Sequence, residues 1–378
     1  MKEIIRYVEP VIISDLARKM VFLAGPRQSG KTTLAKKLLR DFDQDSRTRY
    51  LNWDSAEDRE KILTERFPAG EGMLILDEIH KFSRWRQTVK GLYDKRGDHL
   101  HIMVTGSARL DHYRYGGDSL QGRYHFHRLH QLSFAEIGGT SQSDLNDLLA
   151  FGGFPEPFFL GSARETKRWS REYRTRLVVE DLQDLEKVKD IALVQQLVLR
   201  LPGLVGAPLS LNGLREDLQV AHQTVARWIQ ILENLYMIFR IYPFGSPKIR
   251  AVKKEAKHYH ADWTVVDDPA ARFENLVACH LLKWCHFQQD TEGRNVELRY
   301  FRDVERREVD FVIMEDNKPL QFIECKSSRR GSSRSLKYLK ERFPQAEALQ
   351  IDLTGKDDIL DKKNIRIQPA TQFLADLI

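Results

Sequence analysis

Nine consecutive residues, Gly25, Pro26, Arg27, Gln28, Ser29, Gly30, Lys31, Thr32 and Thr33, leave this chain few choices of fold. Glycines in such a loop let the backbone curl until successive N–H groups converge on phosphate oxygens, while a helix starting at its end turns its positive pole to the same anion. The loop must therefore leave a buried strand and enter a helix. An apolar run, Met20 to Ala24, precedes it, and a helical pattern, Thr32 to Leu39, follows. All nine residues are expected to contact ATP, with Lys31 reaching the β and γ phosphates and Thr32 ligating Mg2+.

A phosphate cradle also needs acids. The run from Met73 to Glu78 ends four apolar residues in Asp77 and Glu78, the pattern of a buried strand that delivers carboxylates to the C-terminal edge of a parallel sheet. Asp77 is expected in the Mg2+ shell and Glu78 beside the attacking water. Val21 to Ala24, Tyr50 to Trp53, Met73 to Leu76 and His101 to Thr105 are the strand candidates, alternating with helical patterns, so the fold class is α/β with a parallel sheet. At the tip of the last strand, Ser107 or Thr105 is the candidate for a side chain that senses the γ phosphate; a simple strand-to-loop turn is the alternative.

At 378 residues the chain exceeds the size at which single cores usually split. The reading here is a core at 1–140, a helical lid or connector at 141–202, a winged helix at 203–262 and an α/β domain at 263–378. Hydrophobic residues make up 42% and no apolar run approaches the length that spans a bilayer; the first residues lack a signal-peptide pattern. Three cysteines, Cys279, Cys285 and Cys325, show neither zinc spacing nor a disulfide framework. A cytoplasmic protein without a membrane partner is the expectation.

Arg123, in Leu-Gln-Gly-Arg after the fourth strand, sits where an arginine finger could reach a neighbouring subunit's nucleotide; a solvated surface arginine is the alternative. A finger acting in trans makes catalysis depend on assembly, so a homo-oligomer is expected, a hexameric ring being one form.

Leu211 to Leu218 and His222 to Leu232 have the spacing of a helix-turn-helix, with Leu211, Leu214, Leu218, Val220, Val225, Ile229 and Leu232 as its core. His222, Gln223, Thr224 and Arg227 open the second helix, where a DNA-reading helix displays polar and cationic side chains. A strand over Tyr236 to Tyr242 then leads into a segment with six Lys or Arg against one acid between Arg240 and His258. Lys248, Arg250, Lys253 and Lys254 would follow a phosphate backbone as a wing. A protein-binding or purely structural winged helix is the alternative.

Near the C-terminus, strands over Arg307 to Ile313 and Leu320 to Lys326 flank a turn centred near Asn317, which sets Asp310 opposite Glu324. Glu324 and Lys326 project from one face of their strand. The set Asp310, Glu324 and Lys326 is the D…E-x-K pattern of restriction-endonuclease-like nucleases, in which carboxylates hold Mg2+ or Mn2+ and the lysine orients water. Glu274, on a preceding helix, is the additional ligand candidate. A solvated salt-bridge cluster is the alternative, and such domains can bind DNA without cutting it.

Taken in order, the loop at Gly25, Leu74-Ile-Leu-Asp-Glu-Ile-His-Lys81, Thr105-Gly-Ser-Ala-Arg109, Phe151-Gly-Gly-Phe-Pro-Glu-Pro157 and Phe273-Glu-Asn-Leu-Val277 resemble a prokaryotic family of AAA-type ATPases (AAA_14) with a C-terminal DUF4143 region. The resemblance implies an ATPase core, a winged helix and a restriction-endonuclease-like (PD-(D/E)xK) domain in that order. It also implies Gly-Arg ahead of Leu132-Ser-Phe-Ala-Glu136, which matches Arg123. His130-Gln131, where a proline is expected, and Cys325 inside E-x-K depart from the pattern. The function expected is an ATP-hydrolysing, DNA-binding motor that remodels or translocates DNA, branched DNA included, with a nuclease-like domain that cuts or only binds. A regulatory signal-transducing ATPase switch and a nuclease effector released by ATP are the competing readings.

Overall fold

The computed structural model describes residues 4–42, 49–106, 110, 120–181, 190–245, 255–328 and 331–378. It divides into two compact units, Met1–Gln131 with Asp290–Glu292, and Leu132–Gln289 with Gly293–Ile378.

The first unit runs α1 (Glu9–Leu16), β1 (Met20–Ala24), α2 (Lys31–Phe42), β2 (Tyr50–Asn52), α3 (Ala56–Leu63), β3 (Gly72–Asp77), α4 (Trp85–Arg96), β4 (Leu100–Thr105) and β5 (Tyr124–Arg128). Its strands form one parallel sheet in the order β2-β3-β4-β1-β5. β1 is buried along its whole length and β3 from Met73 onward, as strands covered on both faces should be. The sequence reading missed β5. Tyr-His-Phe-His-Arg has one strongly apolar residue, yet its pairing to β1 from Met20↔Tyr124 to Ala24↔Arg128 buries His127 and Arg128, and His127 takes Asp15 as partner at 2.7 Å. Backbone pairing, which composition does not register, made the strand.

The second unit begins with helices: α5 (Gln142–Phe151), α6 (Pro155–Leu160), α7 (Ala163–Arg176), α8 (Ile191–Arg200), α9 (Leu211–Leu218) and α10 (His222–Asn234). Ser141 and Asp144 close a capping box on α5, and Pro155 sits where a helix tolerates a missing N–H. There follow β6 (Ile238–Pro243), β7 (Lys257–His260), α11 (Pro269–Glu292), β8 (Val296–Arg302), β9 (Glu308–Glu315), β10 (Lys318–Lys326), α12 (Arg334–Arg342), β11 (Glu347–Asp352), β12 (Ile359–Leu360), β13 (Arg366–Pro369) and α13 (Ala370–Ala375). The strands make one mixed sheet, β12-β13-β11-β10-β9-β8-β6-β7. Thus β6, the strand expected to lead into a wing, and β7, which was not expected, are continuous with the C-terminal sheet through β6–β8 pairing.

One apolar core in this unit draws on Phe134, Leu148, Val205, Tyr259, Trp263 and Phe311, from five stretches of chain that include both the helices and the sheet. Trp263 is buried and donates its indole N–H to the Leu148 carbonyl at 2.9 Å. Trp263→Phe keeps most of the apolar volume but removes that bond, leaving the carbonyl the Gly152 amide at 3.0 Å. It should cost about 0.5–1.5 kcal/mol of unfolding free energy, measured by urea denaturation; no change would mean the bond contributes nothing to the core.

Candidate functional site

The phosphate loop is shaped by backbone that few residues adopt. Gly25 lies at φ 146°, Gly30 at 98° and Gln28 at 60°, and a Cβ on Gly25 would stand 2.3 Å from the Leu129 carbonyl oxygen. The Lys31 ammonium folds over the loop and donates to the carbonyls of Gly25 and Pro26 at 3.0 and 2.6 Å. Arg6, ahead of α1 and absent from the sequence reading, ties the loop down: its guanidinium donates to the carbonyls of Ser29 at 2.7 Å and His130 at 2.6 Å. Ser29 is buried, and its hydroxyl has no hydrogen-bond partner among the described residues.

Asp77, at the end of β3, gathers three hydroxyls. Thr32 donates to one carboxylate oxygen at 3.1 Å and Tyr50 to the same oxygen at 2.5 Å, while Thr105 donates to the other. Burial and the bond to Asp77 hold the Tyr50 phenol neutral, its pKa pushed well upward. The adjacency of Thr32 and Asp77 fits Mg2+, which in such sites takes one or two protein oxygens and fills its octahedron with phosphates and water. Among the described residues no three His, Cys, Asp or Glu side chains form a ready cage, and this kind of Mg2+ site needs none.

Glu78 adopts φ 56°, ψ 20°, a left-handed conformation that costs a non-glycine residue about 1–2 kcal/mol. Its amide donates to the Thr105 carbonyl at 2.9 Å. Burial raises its carboxyl pKa while the nearby Lys31, Lys81 and Arg27 charges oppose the rise. One oxygen lies 3.5 Å from His80 and 3.9 Å from Lys81 and accepts no hydrogen bond among the described residues. His80, which the sequence reading left without a role, is buried here. It presses on Gly106 so closely that a Cβ there would meet its ring at 2.5 Å.

Of the two sensor candidates, Thr105 is in the site through Asp77, and Ser107 lies outside the described residues. Arg123 precedes β5, at the sheet edge opposite the loop, and donates to Asp94 at 2.8 Å. Five strand residues, about 16 Å, separate it from the loop end of its own sheet, so it cannot serve its own chain's nucleotide.

In the second unit, α9 is capped by Ser210 and the turn after it uses Gln219 at φ 54°. Leu214, Leu218, Val225, Ile229 and Leu232 are buried, while Leu211 and Val220 are half-buried. His222, Gln223 and Arg227 are exposed on α10 and Thr224 is half-buried. Lys248, Arg250, Lys253 and Lys254 lie outside the described residues. Lys257, at the end of the basic segment, is turned inward and no part of it is available to a phosphate backbone: it is 1% exposed and paired with Glu308 at 2.5 Å and Glu274 at 3.6 Å.

That inward turn changes the C-terminal constellation. The β9–β10 hairpin turns through Asp316 and Asn317, both at positive φ as a tight hairpin requires, and its ladder passes through Ile323↔Phe311, one step short of Glu324 and Asp310. Asp310 accepts the Cys325 amide at 2.8 Å, Glu324 takes Lys326 at 2.5 Å, and Glu274 takes the Tyr259 hydroxyl at 2.7 Å. The structure brings Glu274, Asp310 and Glu324 near enough for Asp310 to raise both glutamates, although among the described residues no three such side chains form a ready metal cage. Lys257, Tyr259 and Glu308, unforeseen in sequence, occupy the space between them; Arg302 also approaches Glu308 at 3.7 Å.

Acids still outnumber bases in this buried cluster. Burial and the neighbouring Asp310 push Glu274 and Glu324 up to about 7, and burial raises Asp310 as well. A carboxyl raised in the folded state stabilises below its unfolded pKa and loses that contribution as pH climbs through its folded value.

Family comparison resolves three stretches. Residues 17–138 match an AAA domain (AAA_14), 142–267 match the domain of unknown function DUF8612, and 270–373 match DUF4143. The sequence reading divides the middle stretch into a lid or connector at 141–202 and a winged helix at 203–262. An uncharacterized protein of Mycobacterium tuberculosis is 23% identical over 84% of this chain and 73% of its own length. One from Methanocaldococcus jannaschii is 22% identical over 96% and 86%. Among solved structures, RuvB of Thermotoga maritima gives a TM-score of 0.31 at 18% identity, covering 62% of this chain and 88% of that one. ORC1 of Aeropyrum pernix in complex with DNA gives 0.33 at 13% identity, covering 73% and 93%. No helix among the described residues is long and apolar enough to cross a membrane.

Gly25→Ala should abolish nucleotide binding, because the added Cβ collides with backbone; a fluorescent ATP analogue bound at wild-type affinity would refute the loop geometry. Glu324→Gln should gain stability relative to wild type as pH rises from 6 to 8.5, by about 1–2 kcal/mol in urea melts. A pH-independent difference would show that Glu324 is ionised throughout.

Proposed function

The chain belongs to the AAA-type ATPases that carry a C-terminal DUF4143 region, and we propose that it hydrolyses ATP as an oligomer and uses the cycle to move or remodel DNA. The observation that carries the hydrolytic half is Glu78. A carboxylate oxygen buried without a hydrogen-bond donor among the described residues, next to a phosphate loop and on a strained residue, suits a group that holds water for attack on the γ phosphate. Lys31 would withdraw charge from the β and γ phosphates, and Thr32 and Asp77 would hold Mg2+, which supplies charge neutralisation at the phosphates. The position of Arg123, out of reach of its own loop, supports a finger acting on a neighbouring subunit.

The DNA half rests on α9 and α10, whose exposed His222, Gln223 and Arg227 suit a helix that lies in a groove. The helix and hairpin succession α11-β8-β9-β10-α12-β11 supports a restriction-endonuclease-like domain. We read it as a DNA-binding domain, because its acids are paired with Lys257, Lys326 and Tyr259 rather than arranged for a metal.

Glu78→Gln should keep ATP affinity within about threefold and lower steady-state hydrolysis by 100-fold or more, a range typical of removing a catalytic proton acceptor. Hydrolysis by wild type should rise about tenfold or more with single-stranded, duplex or four-way-junction DNA at fixed salt. A rate indifferent to all three would favour a regulatory ATPase switch with a protein partner, and undiminished turnover in Glu78→Gln would remove its assigned role.

A further inference from the structure

The second unit holds a cavity of about 970 Å3, walled by α7, α8, the turn at Leu201–Leu204 and the start of α11. Its charged lining is five cations, Lys167, Arg171, Arg174, Arg200 and Arg272, against one acid, Asp267. Arg200 is spoken for by Asp217, and Arg272 donates to the Val266 carbonyl at 2.7 Å. Lys167, Arg171 and Arg174 have no acidic partner among the described residues; Arg174 donates one N–H to the Ser170 carbonyl of its own helix at 3.3 Å.

The contrast along α7 is informative. Residues 167, 171 and 174 follow the i, i+4, i+7 spacing of one helix face. The arginines on the rest of the helix are paired: Arg164 with Glu165 at 3.9 Å, Arg168 with Glu165 at 3.4 Å and Arg176 with Glu172 at 3.5 Å. Like charges one turn apart repel by a few tenths of a kcal/mol each, so a helix that neutralises its other arginines and, among the described residues, gives this row no acid holds charge for something outside itself. A second feature agrees. Thr166, 3% exposed, buries a hydroxyl oxygen that has no hydrogen-bond partner among the described residues, in the same lining.

We propose that this cavity binds the phosphate backbone of a nucleic-acid strand. The row spans about 10 Å at 1.5 Å per residue, too far for one phosphate to meet all three cations, whereas consecutive phosphates of a strand can. The rest of the wall mixes neutral polar side chains, Ser170, Thr175, Gln195 and Thr264 among them, with aliphatic ones such as Val178, Val198 and Val265, and no aromatic side chain lines it among the described residues. Bases therefore find no stacking platform there, and the contact is to the backbone and blind to sequence. The site rests on the DNA reading above and extends it from α10 to a separate surface of the DUF8612 stretch.

The test is binding of a fluorescein-labelled mixed-sequence 20-mer, single-stranded and duplex, to the full chain between 50 and 200 mM KCl. Wild type is compared with a cavity-face triple variant (Lys167→Gln, Arg171→Gln, Arg174→Gln) and an outer-face triple of equal charge change (Arg164→Gln, Arg168→Gln, Arg176→Gln), thermal melts confirming that all are folded. Each lost phosphate contact should lower the slope of log K on log salt by about 0.7–0.9. The cavity-face variant should thus lose about two units of slope and at least tenfold in affinity, and the outer-face variant less than threefold. Equal losses in the two variants with wild-type binding intact would overturn the cavity site and leave the DNA reading standing. Absence of wild-type binding to either oligonucleotide would remove both. Calorimetric binding of inorganic pyrophosphate that depends on the cavity row, without binding of DNA, would replace the strand by a free polyphosphate and so overturn the proposal as well.

Discussion

The Asp77 carboxylate holds the nucleotide end of the first unit together. It receives hydroxyls from α2, β2 and β4 at the tip of β3, so a single buried charge fixes the helix behind the phosphate loop and the two neighbouring strands in one register. Hydrogen bonds to a charged group are roughly twice as strong as neutral ones, and three of them offset the desolvation of a carboxylate only 4% exposed. The strain at Glu78 depends on the same junction. With Asp77 held from three sides and the Glu78 amide bonded to Thr105, the chain has no relaxed route out of the strand, and the left-handed turn aims the carboxylate into the site.

A second buried carboxylate group shows the opposite solution. Around Asp310 the protein adds the ammonium groups of Lys257 and Lys326 to one hydroxyl, that of Tyr259, and the cations are too few to balance the acids, so the remaining negative charge is relieved by protonation near neutrality. Two acids that titrate together around pH 7 share protons as a set rather than individually. The Lys257 ammonium at 2.5 Å from Glu308 stands among the carboxylates where sequence reasoning had expected a cation of another kind. The chemical type of the cluster was legible, and its occupant was not.

That difference marks the general boundary of what this sequence discloses. Motifs fixed by backbone demands or strict periodicity were readable: the glycine positions of the loop, the apolar run ending in Asp77, the hairpin turn at Asn317 and the apolar positions of α9 and α10. Long-range pairings were not. Tyr50 reaches Asp77 from a strand 27 positions earlier, Arg6 reaches His130 from 124 positions away, and β5 exists because β1 offers it an edge. Each depends on which surface the fold brings alongside, and local composition carries no record of it. The pairing of β6 with β8, which makes β6 part of the C-terminal sheet, is a further case.

Charge pairing, rather than charge count, separates the cations of this chain by role. Six Lys or Arg between Arg240 and His258 read as a phosphate-binding wing, yet two of them, Arg240 and Lys257, are bound inward to Glu233 and Glu308. An ammonium already within 3 Å of a carboxylate and out of water has neither the field nor the freedom to recruit a phosphate; releasing it would expose an uncompensated buried acid. Lys167, Arg171 and Arg174 drew no notice in a helix crowded with basic residues. Their neighbours on α7 have acids and, among the described residues, they do not, and a row facing a cavity without such partners keeps its potential for an incoming polyanion. With a net charge of only +6, attraction to nucleic acid must come from such local surplus, and the paired and unpaired faces of α7 place that surplus on one side of the helix.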